Sequence, residues 1–327
     1  MAQLIKLQNY TTRYEQNIFH YPSRFVTLKK QQWEKWQETW KSSTELVILT
    51  QLPQVRNDWE KERKRPFIGK IKTLFLRKRD GGIKTDTAEE PVPDLPDEGE
   101  PEEFTEFPPF FQRPDTIEEL KQLFLNHLFN FQLKWAASTL TEKSILNKKY
   151  LFDERLKYFL TRFPDTYLLM YRPVFLLKKA PVEGECILIG PTEIWCITFI
   201  EDQELSVFTG SKGKFWEVRN GKKVKKVLNP HIALNRTEKI IKKILQLNEI
   251  QFPIQKVLLS RNGYIDYPSF PFDLKLIDKS NYDDWFQSMR ALRTPLKSTQ
   301  LKAARALLEF CQTASIKRQE WEENKEE

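Results

Sequence analysis

Two glutamates, Glu183 and Glu185, stand two residues apart in the segment PVEGECILIG, a spacing that on a β-strand would put both carboxylates on one face. Paired acids at a strand end can hold Mg²⁺, which takes one or two protein carboxylates and completes its shell with water and substrate phosphate. On the next apolar run, TEIWCITFI, residues Cys196, Thr198 and Ile200 share one face and Trp195, Ile197 and Phe199 the other. Downstream come the cations Lys212, Lys214, Arg219, Lys222, Lys223, Lys225 and Lys226, and then Asn229-Pro230, an N-cap and first-turn proline for a helix. Cations beside a helix N-terminus suit phosphate groups. Such contacts bind nucleic acid without reading its bases and weaken with salt. The plain structural alternatives are a solvated strand end and a solvated basic surface.

These residues sit in a chain of 327, long enough for one large or two ordinary domains, with 40% hydrophobic and 13% aromatic residues. The three cysteines (Cys186, Cys196, Cys311) and three histidines (His20, His127, His231) lack the paired spacing of a zinc module. Cys186 and Cys196 read as small buried hydrophobes. No window reaches the roughly 18–20 apolar residues of a membrane span, and the start lacks the basic and apolar regions of a signal peptide. A cytoplasmic protein is the expectation.

The net charge of +8 is unevenly spread. Between Lys61 and Arg79 lie nine bases and one acid; between Asp86 and Glu106 lie ten acids and no base. The basic stretch alternates with Phe67, Ile68, Ile71, Leu74, Phe75 and Leu76, so residues 61–79 could meet an anionic membrane surface, a polyanion or a protein partner. The acidic stretch is rich in proline and poor in bulky aliphatics, the composition of a disordered linker over 85–108.

The elements that must position the candidate residues follow from periodicity. Phe25, Leu28, Trp33, Trp36 and Trp40 predict an amphipathic helix whose tryptophans pack inward. Asp115 or Thr116 caps a helix through about Trp135, and a second helix is predicted from about Ser144 to Phe163. Pro173 breaks the strand signal of DTYLLMYRPVFLLKKA. QKVLLSR reads as an inner strand, LKLID as another, and Ser280 with Asp283 as a capping box. The expected organisation is a helical basic N-terminal region (1–84), the linker (85–108) and an α/β domain (109–327). In that domain a central mixed β-sheet is flanked by helices.

From about Leu151 to Arg261 the order of segments resembles the nuclease-related domain, NERD, a branch of the restriction-endonuclease-like superfamily. DERLKYFL resembles its first helix, with Glu154 as the acidic residue. VEGECILIGPTEIWCI resembles its strand pair, in which Glu-x-Asp precedes Glu-x-Lys; FTGSKGKFWEVRNGKKVKKVLNPHIAL resembles its later turn, Trp strand and Asn-Pro helix. The resemblance implies that Glu154, Glu183, Glu185, Thr198 and Ile200 occupy the catalytic positions, and that Glu185 and Glu154 would hold any metal. Thr198 and Ile200 replace a metal-binding Glu and a water-positioning Lys. Thr is a weak ligand, and Ile cannot stabilise a developing anion.

A nuclease-like protein that binds nucleic acid nonspecifically, requires no cofactor and hydrolyses poorly or not at all is therefore the expectation. One alternative is an active Mg²⁺-dependent nuclease using a displaced constellation of Glu154, Glu185 and Glu201, in which Glu201 or Glu204 substitutes if the strand carries a bulge. The other is a scaffold or membrane-surface protein acting through residues 61–79.

Overall fold

The computed structural model describes residues 1–51, 114–177, 180–292 and 294–318. The predicted basic stretch at 61–79 and the linker at 85–108 lie outside them. By contact the chain forms two units, Met1–Trp36 with Phe110–Glu327, and Gln37–Pro109. The first carries every element that bears on the candidate residues.

In chain order the elements are β1 (Gln3–Leu7), α1 (Arg13–Gln16), α2 (Tyr21–Gln51), α3 (Ile117–Trp135), β2 (Glu142–Lys143) and a 3₁₀ turn (Lys148–Phe152). Then follow α4 (Glu154–Arg162), β3 (Leu168–Tyr171), β4 (Val174–Leu177), β5 (Ala180–Glu183), β6 (Cys186–Ile189) and β7 (Ile194–Phe199). A second group of strands comprises β8 (Val207–Thr209), β9 (Phe215–Asn220) and β10 (Lys223–Leu228), and leads into α5 (Pro230–Leu247). The chain closes with β11 (Ile254–Leu259), β12 (Tyr264–Asp266), β13 (Leu274–Ile277), α6 (Tyr282–Ala291), α7 (Ser298–Glu309) and β14 (Ile316–Lys317).

The central sheet has six strands in the order β1-β3-β6-β7-β11-β13. Only β6 runs antiparallel to its neighbours, so the sheet is mixed, as the sequence predicts. Strand alternation divides its side chains between two cores. Leu168, Met170, Ile187, Ile189, Ile194 and Cys196 pack with α5 and α7; Leu169, Tyr171, Leu188, Trp195 and Ile197 pack with α4 and α6. A sheet buried on both faces explains the near-continuous apolar runs of LLMY, CILI and IWCITF.

Several expectations change. The N-terminal region opens with a strand ahead of its predicted helix: β1 pairs in parallel with β3 and forms one edge of the central sheet. Gln132 of α3 covers that edge, accepting from the Leu4 N–H at 2.7 Å and donating to the Ala2 carbonyl at 3.0 Å. Trp36 of α2 is buried with its ring 5.2 Å from Phe124 of α3, the packing role the periodicity implies. The helix predicted from Ser144 starts ten residues later, because Asp153 caps it by accepting from the Arg155 and Leu156 N–H groups. No Ser280 capping box forms; Asn281 stands at the α6 N-cap, but its side chain bonds the Asp278 N–H and the Leu276 carbonyl rather than the first turn of the helix. Among the described residues no helix is long and apolar enough to cross a membrane.

Candidate functional site

A cavity of ≈ 950 Å³ opens at one end of the central sheet. Strands β3, β7 and β11 all finish there, and antiparallel β6 begins there, so Tyr171, Arg172, Glu185, Phe199, Glu201 and Arg261 reach it from successive strand ends. The start of α4 adds Asp153, Glu154 and Arg155. The crevice at the carboxyl ends of strands is where open α/β sheets place their ligands, since the loops there are free to vary.

The five catalytic positions implied by the resemblance divide. Glu154 and Glu185 line the cavity. Glu183 does not: the run read as one strand is broken at Gly184, whose N–H donates to the Pro173 carbonyl at 2.8 Å, and Glu183 closes β5 in a separate hairpin with β4. The two glutamates therefore do not share a strand face. Glu183 pairs with Arg172 at 2.8 Å instead.

Glu185 follows the break, and its N–H donates to Thr237 Oγ1 at 3.0 Å. Burial pushes its carboxyl above the ordinary glutamate pKa, a rise only partly offset by the Thr198 hydroxyl and by Arg172 and Arg236. Thr198 is 8% exposed, and its Oγ1 completes no hydrogen bond of full geometry even though its dipole acts on that carboxyl. Ile200 is buried in the core that contains Cys196 and the apolar residues of α5. The position that would need a cation toward water is an apolar packing position.

Glu201, one residue on, turns to the cavity and is taken up by two guanidiniums. Arg261 reaches it at 2.5 and 3.0 Å, and Arg155 at 3.4 Å. Both arginines lie over the Phe199 ring at 5.3 Å, and Arg261 also lies 4.6 Å from the centre of Tyr158. Burial works against the charge on Arg261, but the bonded Glu201 carboxylate outweighs it and holds the guanidinium above its ordinary pKa. Beyond Glu201 the rim acids are also paired, Asp202 with Lys225 at 2.7 Å and Glu204 with Lys279 at 3.6 Å.

These donors do not fit a closed Mg²⁺ site. Among the described residues no three His, Cys, Asp or Glu side chains gather as a metal group. Glu201, the third carboxylate that could join Glu154 and Glu185, is held by Arg155 and Arg261.

The seven predicted phosphate-binding cations, Lys212, Lys214, Arg219, Lys222, Lys223, Lys225 and Lys226, are all exposed on or beside the β9–β10 hairpin. They do not form one patch. Antiparallel pairing sets Lys223 and Lys225 on the face of Trp216 and Val218, while Arg219 and Lys226 occupy the opposite face with Phe215 and Leu228. The two-residue turn between the strands relies on Gly221, whose φ of +54° lies where glycine is favoured.

The helix terminus at Asn229-Pro230 is less open than the sequence implies. Asn229 caps α5 by accepting from the His231 N–H at 3.0 Å; the Ile232 N–H bonds to the Asn229 carbonyl, and Pro230 has none to offer. The Asn229 amide is itself anchored on the Ser211 and Gly213 carbonyls.

Sequence reasoning missed Arg155, Arg172 and Arg261, the cations of the cavity. Arg261 had a signal: it stands two residues past the end of an inner strand, where site residues concentrate.

No family model and no solved structure matches the chain. An RNA 2',3'-cyclic phosphodiesterase of Geobacillus stearothermophilus is 30% identical over 132 residues, 40% of this chain and 36% of that protein. The chain thus matches little more than a third of that relative's length.

Proposed function

We propose that the chain is a nuclease-like protein that binds nucleic acid through its phosphates, without base preference, and hydrolyses it poorly or not at all. The burial of Ile200, where the NERD resemblance requires a lysine, carries this reading. Thr198 adds to it as a neutral hydroxyl in place of a carboxylate. Loss of a general acid or base, or of charge stabilisation in the transition state, each costs on the order of 10²–10⁴ in rate. The exposed cations of the β9–β10 hairpin support phosphate binding. On this reading no cofactor is required. Three free cysteines suit a reducing cytoplasm.

A second reading is an active phosphodiesterase. Glu154, Glu185 and Glu201 line one cavity with Arg155 and Arg261, and the name of the Geobacillus relative also points to a phosphodiester substrate. The pairing of Glu201 weighs against it, because two guanidiniums already occupy the carboxylate oxygens that a metal or a substrate proton would need.

Incubating single-stranded and duplex substrates, and 2',3'-cyclic nucleotide termini, with Mg²⁺ or Mn²⁺ separates the two. The first reading expects binding that falls steeply with salt and no turnover above background. Turnover that Glu185→Ala abolishes would establish the second.

A further inference from the structure

The smaller sheet, ordered β10-β9-β8-β12, has two unlike faces. One carries Trp216, Val218 and Phe208, all buried, and Trp216 packs edge-on to Tyr267 at 5.0 Å. The other belongs to Phe215, Glu217 and Arg219 of β9, which lie opposite Leu228, Lys226 and Val224 of β10. Val207 and Thr209 of β8 and Tyr264 and Asp266 of β12 continue it.

A solvated outer sheet face ordinarily alternates to polar residues. Here Phe215, Val224, Leu228 and Tyr264 are 53%, 55%, 56% and 39% exposed, and no described element covers them. Phe215 presents an open ring with Lys214 Nζ 5.8 Å from its centre. Arg219 and Lys226 share its face, Lys222 stands at the turn and Lys212 in the preceding loop; Glu217 and Asp266 are the acids.

We propose that this outer face is a stacking platform for single-stranded nucleic acid, with Phe215 as the ring and Lys214, Arg219 and Lys226 as its phosphate contacts. The inference rests on the nucleic-acid reading above and narrows it from any polyanion to unpaired strands. Exposed aromatic rings bordered by cations hold single strands because every unpaired base has a π-face to stack, whereas a duplex keeps its bases stacked inside. The cations follow the backbone, so affinity arises without base recognition. Protein partners fit less well: the apolar side chains are interspersed with charge rather than gathered in one continuous patch.

The test is fluorescence anisotropy on the full chain with labelled oligothymidylate of about 16 nucleotides, the upper site size of one such platform, and with a duplex of equal length. The single strand is expected to bind more tightly. Phe215→Ala should weaken it about tenfold and leave duplex binding unchanged, while Phe215→Trp keeps or improves it. Because Phe215 is half exposed, both variants should retain the wild-type circular dichroism spectrum. Equal binding of both nucleic acids, with no response to Phe215→Ala, overturns the platform and leaves the broader reading standing. No binding of either at low salt overturns both, and if the chain then self-associates through this face, its occupant is protein.

Discussion

Arg261 holds Glu201 in a two-point grip, Nε at 2.5 Å from one carboxylate oxygen and Nη2 at 3.0 Å from the other, directly over the Tyr158 and Phe199 rings. The Glu201 side chain is 11% exposed, so its charge is compensated by protein and hardly by water. Arg155, nearly half exposed, contributes less. Arg261→Ala would leave a largely buried carboxylate underpaired, and urea denaturation should register a loss of about 3 kcal/mol. Arg261→Lys should recover only part of this, since an ammonium cannot reproduce the planar two-point bond.

Glu185 supplies a pH signature. Its pKa is raised by burial, so the folded protein binds that proton more tightly than the unfolded chain. The resulting stabilisation is fully present below the ordinary glutamate pKa and is lost as pH rises through the folded value. Glu185→Gln cannot ionise. Its thermal midpoint should exceed that of the wild type at about pH 8, and the difference should vanish near about pH 4, below the ordinary glutamate value. A difference independent of pH would show that burial of the charge is not what separates the two.

Rebuilding the motif should fail as an experiment in catalysis. Ile200 is 7% exposed within an apolar core, so Ile200→Lys removes packing and places an ammonium among apolar side chains. The Thr198→Glu/Ile200→Lys variant is expected to lose about 3 kcal/mol or more by denaturation and to gain no Mg²⁺-dependent cleavage. A stable, cleaving double variant would show that the two substitutions alone disabled the site.

The basic hairpin can be dissected by salt. Lys225 is bound to Asp202 at 2.7 Å and faces the body of the protein, whereas Lys226 stands on the opposite face. For duplex binding, each phosphate contact removed lowers the slope of log affinity against log salt by about 0.9. Lys226→Ala should show such a change and Lys225→Ala less. Equal effects would mean that both faces touch the ligand.

Much of the fold was legible from local pattern. Asn229-Pro230 announces α5, and the apolar runs at Leu168, Cys186 and Ile194 announce strands buried on two sides. The start of α4 was misplaced because Ile145, Leu146 and Leu151 continue the apolar count, while the cap at Asp153 depends on a side-chain bond that periodicity does not reveal. The separation of Glu183 from Glu185 was hidden for a related reason. Gly184 permits a continuous strand as readily as a break, and the Pro173 carbonyl that receives its N–H lies eleven residues away.

By itself the sequence determined where charge is absent: Thr198 and Ile200 carry none, and no packing can give it to them. Only the tertiary structure decided which charges are committed. Arg155, Glu201 and Arg261 come from three separate elements, and whether a carboxylate is free or clasped depends on distances set by long-range strand pairing. The split of the basic hairpin into two faces is likewise a matter of register, since shifting the pairing by one residue would exchange them.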